Sequence, residues 1–229
     1  MQIDIITLFP DVFFGPFAES IIARAIKDNL IVINTVNLRD FTQDKHRTVD
    51  DTPYGGGPGM LMMVDPLCKA IESCKKQDSL VVLTSPRGET FNQQMARELS
   101  SIKHLIIVCG HYEGVDERVR ELFIDKEISI GDYVLTSGNI PAMVIVDSIA
   151  RLLPGVLGDD SSSEEESFTN DLLEYQQYTR PLEYRGLKVP DILLSGNHKK
   201  IREWRKEQSI LKTKESRKDL YEKFLDKNK

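Results

Sequence analysis

At 229 residues the chain has room for one large domain or two smaller ones with separate cores, and 40% hydrophobic against 29% charged residues is the balance of a globular protein in water. No apolar run nears the roughly 20 residues a membrane span needs, the opening Met1-Gln-Ile-Asp-Ile-Ile lacks the basic and apolar segments of a secretory signal, and three cysteines without CxxC spacing argue against a disulfide framework or a zinc site; a cytoplasmic location without a membrane partner is expected. The net charge of −6 is uneven: residues 171–229 hold 15 Lys+Arg against 10 Asp+Glu, leaving 15 against 26 elsewhere, a basic end suited to a polyanion.

Residues 2–9 (Gln-Ile-Asp-Ile-Ile-Thr-Leu-Phe) read as a buried strand closed by Pro10. Ile21, Ile22, Ala25 and Ile26 at helical spacing predict a helix over 17–29, and β-branched alternation predicts a second strand over 30–38. Residues 39–60 are polar and turn-rich. They end in Pro53-Tyr-Gly-Gly-Gly-Pro-Gly-Met60, too glycine-rich for a helix and without the Lys-Ser/Thr of a phosphate-binding P-loop. A helix is expected over 65–75, then strands at Ser79–Thr84, His104–Cys109 and Ile128–Leu135, separated by helices at Thr90–Leu99 and Val115–Phe123. This alternation predicts an α/β fold, a parallel sheet covered on both faces with ligands beyond the C-terminal strand ends. Those ends are Thr84-Ser-Pro-Arg-Gly88, Gly110-His-Tyr-Glu-Gly114 and Thr136–Pro141. A single glycine there is more often just a turn; three such loops at strand ends predict one pocket.

Residues 141–153 read as a helix with proline in its first turn, carrying Arg151 and stopped by Pro154-Gly155. Gly158-Asp-Asp-Ser-Ser-Ser-Glu-Glu-Glu166 is a low-complexity stretch, by composition a flexible, self-repelling linker. The expected organisation is a domain over 1–157, an acidic linker over 158–170 and a small helical domain over 171–229, with helices at 198–208 and 217–225. Arg24, Lys45, His46 and Arg47, and the crowd of Lys199, Lys200, Arg202, Arg205 and Lys206, suit RNA phosphates; Trp204 suits packing or stacking. His104 and His111 suit packing and hydrogen bonding. Asp50 and Asp51 beside the glycine loop suit turn capping and a guanine edge equally.

The order of these motifs resembles a known family. Asp50-Asp-Thr-Pro-Tyr-Gly-Gly-Gly-Pro-Gly-Met60, Gly110-His-Tyr-Glu-Gly-Val-Asp-Glu-Arg118, Ile130-Gly-Asp-Tyr-Val-Leu-Thr136, Pro154-Gly-Val-Leu-Gly158, Tyr178-Thr-Arg-Pro181 and Leu194-Ser-Gly-Asn-His198 stand as they do in the bacterial tRNA (guanine-N1)-methyltransferases, the TrmD type of the SPOUT superfamily. The likeness covers nearly the whole chain. It implies a homodimer that transfers a methyl group from S-adenosylmethionine to N1 of guanosine at tRNA position 37, 3′ of the anticodon, and it points to Mg²⁺ as a participant. It also implies a deep trefoil knot in the parallel sheet domain, against the general rule that chains do not knot.

Carried over residue by residue, the resemblance gives a cofactor site of Leu83, Thr84, Ser85, Pro86 and Gly88; Gly110, Tyr112, Glu113 and Gly114; and Ile130, Gly131, Asp132, Tyr133, Val134, Leu135, Gly138 and Pro141. Main-chain groups of such loops suit an adenine edge, and a carboxylate such as Glu113 or Asp132 suits a ribose hydroxyl or a cationic end. Methylation at N1 requires alignment, removal of the N1 proton and stabilisation of charge on O6. Arg151 is the expected cation. The family's base is an aspartate directly before Ser-Phe, where this chain has Glu166 before Ser167-Phe168; Asp171 is the alternative. Two functions therefore stand: a tRNA guanine-N1 methyltransferase, or a catalytically silent RNA-binding protein in which Glu166 fails as a base.

Overall fold

The computed structural model describes residues 1–157, 166–168 and 170–228. Most of the expected linker over 158–170, Glu164 and Glu165 included, lies outside these residues. The chain divides after Gly158 into two compact units.

The first unit is built on five parallel strands in the order β2-β1-β6-β5-β7: β1 Gln2–Thr7, β2 Val32–Asn37, β5 Ser79–Thr90, β6 His104–Cys109 and β7 Lys126–Ser129. Between them lie the helices α1 Phe14–Phe17, α2 Ser20–Lys27, α3 Val64–Cys74, α4 Gln93–Ser100, α5 Glu117–Phe123 and α6 Asn139–Ala150, and a two-residue ladder of β3 Asp50–Asp51 with β4 Leu61–Met62. Side chains alternate across the central strands. Leu105, Ile107 and Val82 pack with α2, α4 and α6 on one face, while Ile106, Val108, Val81 and Leu83 pack with α3 and α5 on the other. A strand buried on both faces explains why Leu105-Ile-Ile-Val-Cys109 is uniformly apolar rather than alternating. Each fully buried Ile or Leu contributes roughly 1.5–3 kcal/mol.

At the opposite strand ends the core holds a polar chain. Asp4 accepts from Asn34 Nδ2 at 2.7 Å and faces His104 Nε2 at 2.8 Å, while His104 Nδ1 meets Ser79 Oγ at 2.7 Å. His104 thus has the packing and hydrogen-bonding role its sequence suggests.

The largest departures from expectation in this unit are at two strand ends. The strand expected over 128–135 ends at Ser129, because Gly131 adopts left-handed backbone and takes the chain off the ladder; the apolar Tyr133, Val134 and Leu135 are then exposed. Conversely, β5 runs on to Thr90 through Pro86 and Gly88, with a register shift against β7 between Thr84 and Glu89.

The second unit holds a hairpin of β8 Glu183–Tyr184 with β9 Leu187–Lys188, then α7 Asp191–Leu194, α8 His198–Ser216 and α9 Lys218–Lys227. Asn197 caps α8 by accepting from Lys200 N–H at 3.1 Å. The helix continues past residue 208, where the apolar pattern ends because its buried face turns polar. Thr213 donates to Ser209 O at 2.7 Å and accepts from Leu173 N–H at 2.8 Å, so burial there carries no hydrophobic signature. Trp204 is half-buried.

Candidate active site

In the first unit, the loops leaving β6 and β7 and the bulge of β5 between Thr84 and Glu89, here the first loop, line a cavity of about 350 Å³. The first loop contributes Leu83 to Arg87, the second Gly110 to Val115, and the third Ile130, Gly131 and the run from Tyr133 to Gly138, with Pro141 from α6. All the residues expected at the cofactor site line this cavity except Gly88 and Asp132. Asp132 is exposed. Gly88 backs the first loop instead: a Cβ there would fall 2.4 Å from the main chain of Glu127 and Ile128. Arg87, His111, Leu61 and Val115 also line the cavity and were missed, although Arg87 and His111 stand inside the loops singled out.

The three loops are fixed to one another. Gly138 N–H donates to Gly110 O at 2.7 Å, and the Thr84 hydroxyl lies within 3.2 Å of Val108 O and 3.3 Å of Gly138 O. A Cβ on residue 138 would lie 2.0 Å from that hydroxyl and 2.7 Å from Gly110 N, so only glycine closes here. The glycine-rich loop is tied on by Glu113 N–H to Met60 O at 3.0 Å and Met62 N–H to Gly114 O at 2.9 Å. Behind them, Thr7 Oγ1 donates to the buried Asn139 Oδ1 at 2.9 Å, joining the end of β1 to the start of α6.

The cavity rim carries aromatic rings. His111 lies tilted against Phe9, with ring centroids 5.4 Å apart, and meets Tyr112 edge-on at 4.8 Å. Its Nδ1 accepts the Tyr112 N–H at 2.9 Å, which leaves the ring proton on Nε2. Burial lowers the pKa of His111, with Asp50 countering only in part, so the imidazole is neutral near pH 7. Burial, reinforced by Asp50, raises the pKa of the Tyr112 hydroxyl. Burial also pushes the Cys109 thiol up, so it is an inert core group.

The two expected catalytic residues stand in different units. Arg151 is the C-cap of α6, half-buried, and is not among the cavity's lining residues. Glu166 belongs to the second unit, where it lines a separate cavity of about 570 Å³ with Asp171, Arg202, Arg205, Lys206 and Lys227. Asp171, the alternative base, has left-handed backbone and is ion-paired with Lys227. Nearby, Glu174 N–H donates to Ser167 Oγ at 3.0 Å and Phe168 N–H donates to Leu172 O at 2.8 Å. Arg205 lies over the Tyr175 ring at 4.8 Å.

A parallel α/β unit whose cavity opens at the C-terminal side of its sheet defines the class of α/β proteins that hold a small ligand there. The chain belongs to the family described as tRNA (Guanine-1)-methyltransferase TrmD, whose family model matches residues 1–223. It is 60% identical over 220 residues to a tRNA (guanine-N(1)-)-methyltransferase of Carboxydothermus hydrogenoformans, covering 96% of this chain and 87% of that one. A protein of the same description from Dictyoglomus turgidum is 60% identical over 223 residues, 97% of this chain and 91% of that one. One from Ruminiclostridium cellulolyticum is 52% identical over 231 residues, 100% and 99% of the two chains.

Proposed function

We propose that this chain transfers the methyl group of S-adenosylmethionine to N1 of the guanosine at tRNA position 37, in the cytoplasm where tRNA is found. Family membership over residues 1–223 is the observation that carries the reaction class: the chain is a tRNA guanine-N1 methyltransferase. The 350 Å³ cavity lies in the usual range for small-molecule sites, about 300–1,000 Å³, and its glycines leave main-chain groups open to a ligand, which supports S-adenosylmethionine as its occupant. When bound, the cofactor supplies a methyl already activated as a sulfonium. The chain's own groups then orient the guanine and manage its proton. Glu166 takes the N1 proton and Arg151 meets the charge that develops on O6.

The second unit holds the tRNA through the basic face of α8. The reading includes a homodimer with sites shared across it. Exposed Ile140 and Val144, one turn apart on α6, and exposed Phe14 support such an interface. It also includes a deep trefoil knot through the loops at Thr84, Gly110 and Gly138. The reading also includes Mg²⁺ as a participant, on the family likeness alone; among the described residues no three His, Cys, Asp or Glu side chains gather as a metal-holding group.

The deciding experiment is incubation with methyl-labelled S-adenosylmethionine and a tRNA transcript bearing guanosine after the anticodon. Label at N1 of that guanosine is expected. Tight tRNA binding without label would mean that the chain is a silent RNA-binding protein in which Glu166 does not act as a base.

A further inference from the structure

Four charged side chains behind the cavity close into a ring of alternating sign. Glu117 Oε2 lies 3.5 Å from Arg87 Nη2, Arg87 Nε lies 3.4 Å from Glu127 Oε1, Glu127 Oε2 lies 3.6 Å from Arg120 Nη1, and Arg120 Nε returns to Glu117 Oε1 at 2.5 Å. Arg87 belongs to the first cavity loop. Glu117 and Arg120 are on α5, which follows the second loop, and Glu127 is on β7, which leads into the third. One ring therefore touches the segments that carry all three walls of the site.

The corners are not equivalent. The side chains of Arg87, Arg120 and Glu117 are 62%, 44% and 49% exposed, whereas that of Glu127 is 12% exposed and its Oε1 is buried with no hydrogen bond among the described residues. Exposed ion pairs add little to stability, and a buried carboxylate held only at ion-pair distance is costly to keep. Stability therefore does not account for this arrangement. What it does account for is position: Gly88 packs directly on the Glu127 main chain, so the first loop meets β7 at the residue whose carboxylate holds Arg87.

We propose that Glu127 is a positioning residue for the cofactor cavity, holding Arg87 and Arg120 so that the loop from Thr84 to Gly88 keeps its place beside the other two. This rests on the reading of that cavity as the S-adenosylmethionine site. Glu127 itself does not line it. Glu127→Gln keeps the size of the side chain but loses attraction to both guanidiniums, so the loop is released while the core is untouched.

The test is calorimetric binding of S-adenosylmethionine to the full chain without tRNA, at a temperature where circular dichroism shows each variant folded. Glu127→Gln is expected to weaken binding about tenfold and to raise the KM for S-adenosylmethionine in parallel, with kcat at saturation within about twofold, because uniform binding is lost rather than transition-state binding. Arg87→Lys, which keeps the charge, is expected to lose less than Arg87→Ala. Glu89→Gln, in the adjacent pair with Lys126 outside the ring, is the control expected to bind as the wild type does. If Glu127→Gln binds S-adenosylmethionine with unchanged affinity, or weakens it no more than Glu89→Gln does, the positioning role is wrong. Should the wild-type chain itself not bind S-adenosylmethionine, it is the assignment of the cavity that fails.

Discussion

Thr84 Oγ1 and Gly138 O lie 3.3 Å apart although 54 residues separate them in the chain, and that contact closes the first cavity loop on the third. A methyl group at residue 138 has no room beside the hydroxyl and the Gly110 amide. Gly138→Ala is therefore expected to lower S-adenosylmethionine affinity at least tenfold in calorimetry and to cost about 1–3 kcal/mol of stability, the usual penalty of overpacking. Unchanged affinity would mean that the loops can part without loss.

Glu166 is the sharpest point of the proposed mechanism, because the aspartate that the resemblance implies at this position is one methylene shorter. Glu166→Gln keeps size and hydrogen bonding but removes the proposed proton acceptor, so single-turnover methylation should fall about 10²–10⁴-fold with cofactor affinity unchanged. Arg151→Ala should slow the same step by about 10²-fold. Glu166→Asp shows whether the chain there is tuned to glutamate. Wild-type turnover in Glu166→Gln together with loss in Asp171→Asn would move the base to Asp171, which would first have to release Lys227.

Arg202 and Lys206 are exposed and four residues apart on α8. If this helix grips phosphates, replacing both with alanine should weaken tRNA binding at low salt and reduce the slope of log affinity against log salt by about two, one for each phosphate no longer neutralised. A slope equal to that of the wild type would remove this face of α8 from the interface.

Asp4 gives a stability prediction independent of catalysis. Burial alone would raise its pKa, but hydrogen bonds from Asn34, Gln2 and His104, with the charge of His104, outweigh it and hold the pKa below the ordinary value. A depressed carboxylate stabilises the fold above its unfolded pKa, about 3.9. That stability is lost as pH falls through the folded value. Urea unfolding should therefore show stability falling below about pH 4 in the wild type, and Asp4→Asn should flatten that part of the profile while lowering stability at pH 7. An identical acid profile in the variant would remove Asp4 as the source.

For the dimer, sedimentation at micromolar concentration should show twice the 26.1 kDa chain mass. Ile140→Asp or Val144→Asp should shift it toward monomer and reduce methylation together. A fully active monomer would overturn the shared site.

The alternation of strands and helices, the three segments that line the cavity and the family likeness were legible in the sequence. They depend on local periodicity and on glycine loops whose residues recur in fixed order. His104–Cys109 is placed to the residue, because a strand buried on both faces leaves an unbroken apolar run. Tertiary structure decided what depends on distant partners. Only folding brings Gly138 against Thr84, sets the buried Glu127 between two arginines, ends β7 at Gly131, and carries α8 to Ser216 over a face whose buried Thr213 is satisfied by Leu173. No local pattern encodes these arrangements, since each requires a main-chain group or a charge supplied by another segment.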